Sequence, residues 1–214
     1  MIVGVVPAAG RAGRLRGLID GSKELVRVDG RPLIDHLLAR LGVADELRVV
    51  VRPAKHDLIE HLEGRATVVV GEPPTVSASL ALGLAGLADD DVILVGFPDT
   101  LFGPEDAFAL LVEALRGRRD VVLGAFTFAE PSRSDVLELR GDTVARVHVR
   151  PVEPGSDVVW GCLAARRGAL ERIDRYPEPG LLLDELARAG RIAAVRFPGE
   201  LVDLGTPESL AAAR

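Results

Sequence analysis

Glycine and arginine alternate in a stretch that follows the first apolar run of the chain. The run at 2–6 is followed by PAAGRAGRLRGLIDGSKEL, with glycines at positions 10, 13 and 17 and arginines at positions 11, 14 and 16. Glycines let backbone N–H groups converge on one anion, and arginines add mobile positive charge. The spacing fits neither G-x-G-x-x-G nor G-x-x-x-x-G-K-[ST]. The stretch therefore indicates either a phosphate-binding loop or a solvated surface loop.

Lysine is rare in this chain, and one of its two lysines lies at the end of that stretch. Of the 26 basic residues, only Lys23 and Lys55 are lysines. An arginine presents a planar fork and a lysine a compact ammonium, so the two are not interchangeable at a tight anion site. Lys23 is therefore a candidate for a contact that arginine cannot make, with retention by chance as the alternative.

Two aspartates occur next to apolar runs. Asp99 follows a run in LVGFPDTLF, and Asp203 lies between apolar neighbours in ELVDLGTPESL. Ligands of open α/β sheets bind beyond the carboxyl ends of the strands, so Asp99 is placed to hold a hard cation, although turn or cap roles fit it as well. A carboxylate in a buried strand is costly unless it is paired or metal-bound, which makes Asp203 a second candidate.

Apolar runs and helix-period stretches alternate in the first half. Strands are expected at 2–6, 47–51, 67–70, 92–97, 121–126 and 192–197, and helices in PLIDHLLARLG, HDLIEHLEG, SASLALGLAGL and EDAFALLVEALRG. From about position 120, DVVLGAFTF, SDVLELRGDTVARVHVR and DVVWGCLAARR indicate successive strands joined by turns. The pattern predicts an α/β fold: a Rossmann-like, mostly parallel sheet flanked by helices, with a small antiparallel β insertion. We expect one domain over 1–214, with halves at about 1–119 and 120–214.

Composition narrows the function classes. The net charge of −6 argues against a nucleic-acid-binding surface, and the interrupted apolar runs are too short to cross a membrane. A single cysteine, Cys162, excludes an internal disulfide and is expected in the core. Without a recognisable signal peptide, the expected location is the cytoplasm.

Four segments together resemble one enzyme family. VVPAAGRAGRL, SKEL, GFPDTLF and VDLGTPESL are similar, in order and spacing, to the sugar-phosphate nucleotidyltransferases typified by glucose-1-phosphate thymidylyltransferase. The resemblance implies that Arg14, Lys23 and Asp99 are catalytic and that Asp99 and Asp203 hold Mg²⁺. It also implies a nucleotide site made of residues from the glycine-rich stretch and from EPPTVSASL, namely Ala8, Ala9, Gly10, Arg11, Gly13, Arg14, Lys23, Glu72, Pro74 and Ser77.

The acceptor side resembles the family less closely. By position, Arg150 matches a lysine that binds the sugar phosphate, and Trp160 with Gly161 falls where the sugar pocket is walled. Val149 replaces a glutamate that takes sugar hydroxyls, and Asp135 lies near a usual glycine. In EPPTVSASL, which lies where the family reads the base, Val76 replaces a usual glycine. The resemblance thus implies an acceptor pocket that includes Asp135, Arg150, Trp160 and Gly161, with altered selectivity.

The implied reaction joins a nucleoside monophosphate from a triphosphate to a sugar 1-phosphate, with Mg²⁺ as cofactor and pyrophosphate as the second product. The expected partners are a nucleoside triphosphate and a phosphorylated small molecule, with neither nucleic acid nor membrane. Because the acceptor phosphate is already an anion, no serine, cysteine or histidine base is needed. Two alternatives stay open: transfer to a non-sugar phosphorylated acceptor, and a regulatory protein that binds nucleotide sugars without turnover.

Overall fold

The computed structural model describes residues 1–11, 19–117 and 119–212. The predictions for Gly13 and Arg14 concern residues outside these ranges. The described residues form thirteen β-strands: β1 (Ile2–Pro7), β2 (Arg27–Val28), β3 (Arg31–Pro32), β4 (Glu46–Val51), β5 (Thr67–Val70), β6 (Val92–Gly96), β7 (Thr100–Leu101), β8 (Val121–Thr127), β9 (Val136–Arg140), β10 (Thr143–His148), β11 (Val158–Arg166), β12 (Ile192–Glu200) and β13 (Val202–Asp203).

Six α-helices accompany the strands within the described ranges. They are α1 (Leu33–Arg40), α2 (His56–Leu62), α3 (Val76–Gly83), α4 (Ala107–Leu115), α5 (Pro179–Arg188) and α6 (Pro207–Ala212). None of the helices described is long and apolar enough to cross a bilayer.

Nine of the strands build one mixed sheet in the order β5-β4-β1-β6-β11-β8-β12-β10-β9. The first four are mutually parallel, whereas β11 runs antiparallel to both β6 and β8, and β10 runs antiparallel to β9 and β12. The predicted fold class is confirmed: a parallel α/β half is followed by an antiparallel part in the same sheet.

Apolar residues cover both faces of this sheet. In β1, Val3 and Val5 point into a core shared with α3 and α5, and Val6 points into a second core shared with α1, α2 and α4. Burial on both faces is why the strand has no polar alternation. Cys162 is buried in the second core, as expected.

Two features of the fold place the candidate residues. β1 and β6 are parallel neighbours, so the chain segments that follow them, with Gly10 and Asp99, leave the sheet at the same edge. The short ladder of β7 with β13 aligns Asp203 with Thr100, and Leu204 N–H donates to the Asp99 carbonyl at 2.8 Å. The fold thus brings the two aspartates to one place.

Candidate active site

Two adjoining cavities lie beyond the carboxyl ends of β1 and β6, with volumes of about 630 and 570 Å³. They share five lining residues, Lys23, Val76, Phe97, Asp99 and Glu178. The larger cavity is lined by Asp135, Arg150, Trp160 and Gly161, the four residues of the implied acceptor pocket, and the smaller one by the start of the glycine-rich stretch. We call them the acceptor cavity and the nucleotide cavity.

A lysine and two aspartates occupy the junction. Lys23 Nζ donates to Asp99 Oδ2 at 2.5 Å, and both side chains are largely buried. Asp203 lines the acceptor cavity beside them, its Oδ1 accepting the Gly205 N–H at 2.8 Å. Lys23, Asp99 and Asp203, predicted from separate parts of the sequence, are therefore neighbours.

The charges at the junction shift one another's pKa. Burial alone would lower the pKa of Lys23, but the charge and hydrogen bond of Asp99 outweigh it and raise the pKa above its usual value. Burial raises the pKa of Asp203, and the negative charge of Asp99 raises it further. The site therefore keeps its ammonium charged and holds two carboxylates that repel each other.

The turn before Lys23 is fixed by α2. Asp57, in the first turn of that helix, accepts the Ser22 N–H at 2.7 Å and the Ser22 hydroxyl at 2.6 Å. Gly21 has φ +78°, and a Cβ there would lie 2.5 Å from Asp57 Oδ2, so only glycine fits. Burial would raise the pKa of Asp57, but the bonds from Ser22 lower it below its usual value. This carboxylate anchors the segment that presents Lys23.

Lys55, to which the sequence assigns no role, also lies at the site. Its Nζ donates to the Ala8 carbonyl at 2.7 Å and to Glu24 Oε1 at 2.8 Å. The Glu24 side chain has no exposed surface, and its Oε2 has no hydrogen-bond partner among the described residues. Lys55 therefore ties the end of β1 to the residue that follows Lys23, which accounts for both lysines of the chain.

Arg52 holds the two sides of the nucleotide cavity together. Its Nε donates to the Ala9 carbonyl at 2.7 Å and its Nη2 to the Pro73 carbonyl at 3.0 Å. Ala9, Gly10, Arg11 and Pro74 line this cavity, as predicted for the nucleotide site. Ala8, which the resemblance also assigns to that site, is buried and does not line the cavity.

The segment EPPTVSASL, which the resemblance places in the nucleotide site, differs in detail from the prediction. Thr75 is the N-cap of α3, its hydroxyl accepting the Ala78 N–H at 3.0 Å. Ser79 lines the nucleotide cavity, whereas Ser77 is fully buried and lines neither cavity. Glu72 is exposed and lies 3.6 Å from Arg52 Nη1. Of the three predicted residues of this segment, only Pro74 faces the cavity.

An aromatic wall and a buried carboxylate form the inner part of the acceptor cavity. The Trp160 indole donates to Asp135 Oδ2 at 3.2 Å and packs edge-on against Phe97 with the ring centroids 5.5 Å apart. Burial raises the pKa of Asp135 in spite of that hydrogen bond. Gly161 is needed for packing, because a Cβ there would lie 2.5 Å from Leu201 Cδ1. Val149, expected in the pocket, does not line it.

Arg150 lies at the rim of the same cavity. Its backbone has φ +40°, a conformation that non-glycine residues rarely adopt, and its side chain is about half exposed. Arg150 Nη2 donates to Glu178 Oε2 at 3.3 Å. Strained backbone of this kind is concentrated at functional sites.

Several cavity residues were not singled out from the sequence. Ser132, Arg133 and Ser134 line the acceptor cavity from one short turn, and Glu178 lines both cavities. The segment PSRSD, with an arginine between two serines directly after a proline, was the available signal. It is also ordinary turn chemistry, so the pattern alone could not separate the two roles.

The carboxylates fit the donor set of a magnesium ion bound together with a nucleotide. No group of three or more His, Cys, Asp or Glu residues that could hold a metal occurs in the ranges 1–11, 19–117 and 119–212. Mg²⁺ usually keeps several waters and binds through one or two carboxylates plus substrate phosphates. Asp99 and Asp203 supply such a pair, and a divalent cation would relieve the repulsion that raises the pKa of Asp203.

Comparisons with known proteins identify the family of the chain. Residues 4–180 match the model of the MobA-like NTP transferase domain. The chain is 30% identical to UTP–glucose-1-phosphate uridylyltransferase AglF of Haloferax volcanii, with 95% of this chain and 91% of that protein covered. It is 33% identical to the bifunctional protein GlmU of Rhodopseudomonas palustris, with 67% of this chain covered. The chain spans about a third of the length of that relative.

Solved structures share the fold at low sequence identity. A Bacillus anthracis protein described as a glucose-1-phosphate thymidylyltransferase, in complex with a sucrose, superimposes with a TM-score of 0.88 at 17% identity, covering 100% of this chain and 94% of that one. A UDP-glucose pyrophosphorylase complexed with UDP-glucose gives 0.84 at 16% identity, with 100% and 97% covered. The match over residues 4–180 and the identity to AglF extend beyond fold. The chain belongs to the MobA-like NTP transferase domain family, the nucleotidyltransferase class expected from its sequence.

Proposed function

We propose that this protein is a magnesium-dependent nucleotidyltransferase that joins a nucleoside monophosphate to a sugar 1-phosphate. The observation that carries the proposal is the junction of the two cavities, where Lys23, Asp99 and Asp203 meet. One cavity has the backbone and arginines suited to a triphosphate, and the other has room for a second, smaller anion. A glucose 1-phosphate acceptor is the first choice, by analogy with the name of the Haloferax relative.

In the proposed reaction, a phosphate oxygen of the acceptor attacks the α-phosphorus of the nucleoside triphosphate. The bond from the α-phosphorus to the oxygen bridging to the β-phosphate breaks, and pyrophosphate leaves with that electron pair. The nucleophile is an anion at neutral pH, so no general base is required. The enzyme must instead align two anions and offset their repulsion.

The side chains divide this work between them. Lys23 is charged and would exchange Asp99 for the β- and γ-phosphates, whose charge grows as pyrophosphate departs. Arg14 has the same role by resemblance. Asp99 and Asp203 would hold Mg²⁺, which when bound would act as Lewis acid and template. Arg150 lies on the acceptor side, where its fork can bind two phosphate oxygens.

A phosphorylated alcohol is the second candidate acceptor. Phe97, Phe128, Trp160 and Leu201 form an apolar section of the wall of the acceptor cavity, whose lining is otherwise mostly polar and charged. An apolar wall discriminates by only about 10- to 200-fold, whereas a site built to bond hydroxyls reaches about 10⁴-fold. Selectivity among sugars therefore depends on Asp135, whose carboxylate lies in this wall.

Pyrophosphate release measured over a matrix of substrates tests the proposal. The full chain is incubated with each of ATP, CTP, GTP, UTP and dTTP against glucose 1-phosphate, other hexose 1-phosphates and phosphorylated alcohols, with Mg²⁺ or with EDTA. We expect release for at least one pair, dependent on the divalent cation and lost in Asp99→Asn. Nucleotide binding without release for any pair would contradict the enzyme and favour a regulatory binding protein.

A further inference from the structure

We propose that Arg133, which neither the sequence nor the resemblance assigns, binds the phosphate of the acceptor together with Arg150. The inference rests on the proposed function and names a further residue of the acceptor site. Arg133 lines the acceptor cavity between Ser132 and Ser134.

Among the residues that the structure describes, Arg133 is the one arginine that pairs with a carboxylate of the junction. Its Nη2 lies 3.8 Å from Asp203 Oδ2. The acceptor oxygen must reach the α-phosphorus, which has to lie beside Asp99 and Asp203 if these hold the metal. Arg133 is therefore within reach of the reacting end of the acceptor.

Of the two terminal nitrogens of the Arg133 guanidinium, only Nη1 donates hydrogen bonds to the described residues. Its Nη1 donates to both oxygens of Glu130, at 3.0 and 2.9 Å, an exposed pair within one turn. Among the described residues, no acceptor is within hydrogen-bonding distance of Nη2. Exposed pairs of this kind are weak, so Glu130 holds the guanidinium near Asp203 without competing strongly with a phosphate.

Arg150 alone is poorly placed for the same task. Its side chain is 56% exposed, against 32% for Arg133, and its partner is Glu178 rather than either of the junction aspartates. A phosphate held only at the rim would place the acceptor away from Asp203. Two arginines, one at the rim and one at the junction, would fix both the position and the direction of the phosphate.

In the same geometry, each of the three cations that the described residues contribute to the acceptor cavity lies beside a carboxylate. Lys23 neutralises Asp99, Arg133 lies against Asp203, and Arg150 pairs with Glu178. A phosphate that enters between Arg133 and Arg150 replaces carboxylates as the partner of both cations. Acceptor binding then leaves Asp203 free for its proposed cation. Binding of the acceptor phosphate and binding of the cation are therefore expected to favour each other.

The kinetic test compares Arg133→Met with a matched surface variant. Arg140→Met removes an arginine that is 80% exposed on β9 and pairs only with Glu138. We expect Arg133→Met to raise KM for the acceptor about 10- to 100-fold, the range for a lost hydrogen bond to a charged group, with KM for the nucleotide nearly unchanged. Arg133→Lys should recover part of the loss because it restores the charge without the fork. Arg140→Met should match the wild type.

Binding can be followed without turnover, because Trp160 is the single tryptophan of the chain and lines the acceptor cavity. Its fluorescence is titrated with glucose 1-phosphate and with inorganic phosphate in the wild type, Arg133→Met, Arg150→Met and Arg140→Met. We expect both ligands to bind at least tenfold more weakly to Arg133→Met, with melting temperatures unchanged.

The outcomes separate the two proposals. If the wild type turns over and Arg133→Met behaves like Arg140→Met, the role of Arg133 is wrong while the proposed function stands. If no pair of substrates turns over, the titration decides: weaker phosphate binding in Arg133→Met supports the phosphate site, and equal binding overturns it. A wild-type fluorescence that responds to neither ligand also overturns it.

Discussion

Replacing Lys55 by methionine should destabilise the protein strongly, although Lys55 lies outside every motif of the sequence. The change removes the ammonium that contacts Glu24 Oε1 at 2.8 Å and the Ala8 carbonyl at 2.7 Å. The Lys55 side chain is 12% exposed and that of Glu24 is 0% exposed, so the lost partner cannot be replaced by bulk water.

The magnitude follows from the burial of the glutamate. Removing one partner of a buried ion pair costs about 3–5 kcal/mol, because the other charge is left without compensation. In a chain of this size 1 kcal/mol corresponds to about 2–4 °C, so the melting temperature should fall by about 6–20 °C. Arg140→Met, which breaks an exposed pair, should cost at most about 1 kcal/mol.

The double variant Glu24→Met/Lys55→Met tests whether the loss of stability in Lys55→Met comes from the unpaired charge of Glu24 or from the altered packing at position 55. Removing both charges leaves no buried ion, so most of the stability should return, to within about 2 kcal/mol of the wild type. Activity should not return, because the Ala8 carbonyl and the turn after Lys23 are no longer joined. The assays are thermal unfolding and urea unfolding of all four proteins at pH 7, together with pyrophosphate release. A Lys55→Met protein that melts within 2 °C of the wild type would refute the reasoning.

Three further predictions concern the junction and its anchor. Asp203→Asn should lower turnover by at least about 10²-fold, as for one lost preorganised contact. It should also raise the melting temperature measured without metal, because it removes a charge that burial and Asp99 disfavour. Unchanged turnover would exclude the metal role of Asp203. Lys23→Arg should lose activity although the charge is kept, since the compact ammonium contacts Asp99 at 2.5 Å and a planar fork would place its donors differently; full activity would make the rarity of lysine a misleading clue. The lowered pKa of Asp57 stabilises the fold above the usual carboxyl pKa of 3.8, and this stabilisation is lost as the pH falls through the lower folded value; unfolding free energies of wild type and Asp57→Asn should therefore converge at acid pH, and parallel curves would contradict the anchor.

Local patterns in the sequence were sufficient to predict the main strands and helices. They were also sufficient to place the candidate site residues that directly follow a strand. The apolar runs of β1 and β6 predict strands buried on both faces, and the order of strands and helices predicts a parallel sheet. The position of Asp99 at the end of β6 then predicts that it faces a cleft. These inferences succeed because the burial of a strand and the position of its end depend on consecutive residues.

The joint arrangement of the charged groups was decided only by tertiary structure. Asp203 reaches Asp99 through the β7–β13 ladder, whose two-residue strands carry no pattern of their own. Lys55 contacts Glu24 from a loop before α2. Arg133 lines the acceptor cavity from a turn whose sequence is typical of turns in general. Which serine of α3 lines the nucleotide cavity depends on the rotation of the helix on the sheet, and it is Ser79 rather than Ser77. Each of these contacts joins segments distant in sequence, and their energies depend on burial and distance, which the order of the residues alone does not specify.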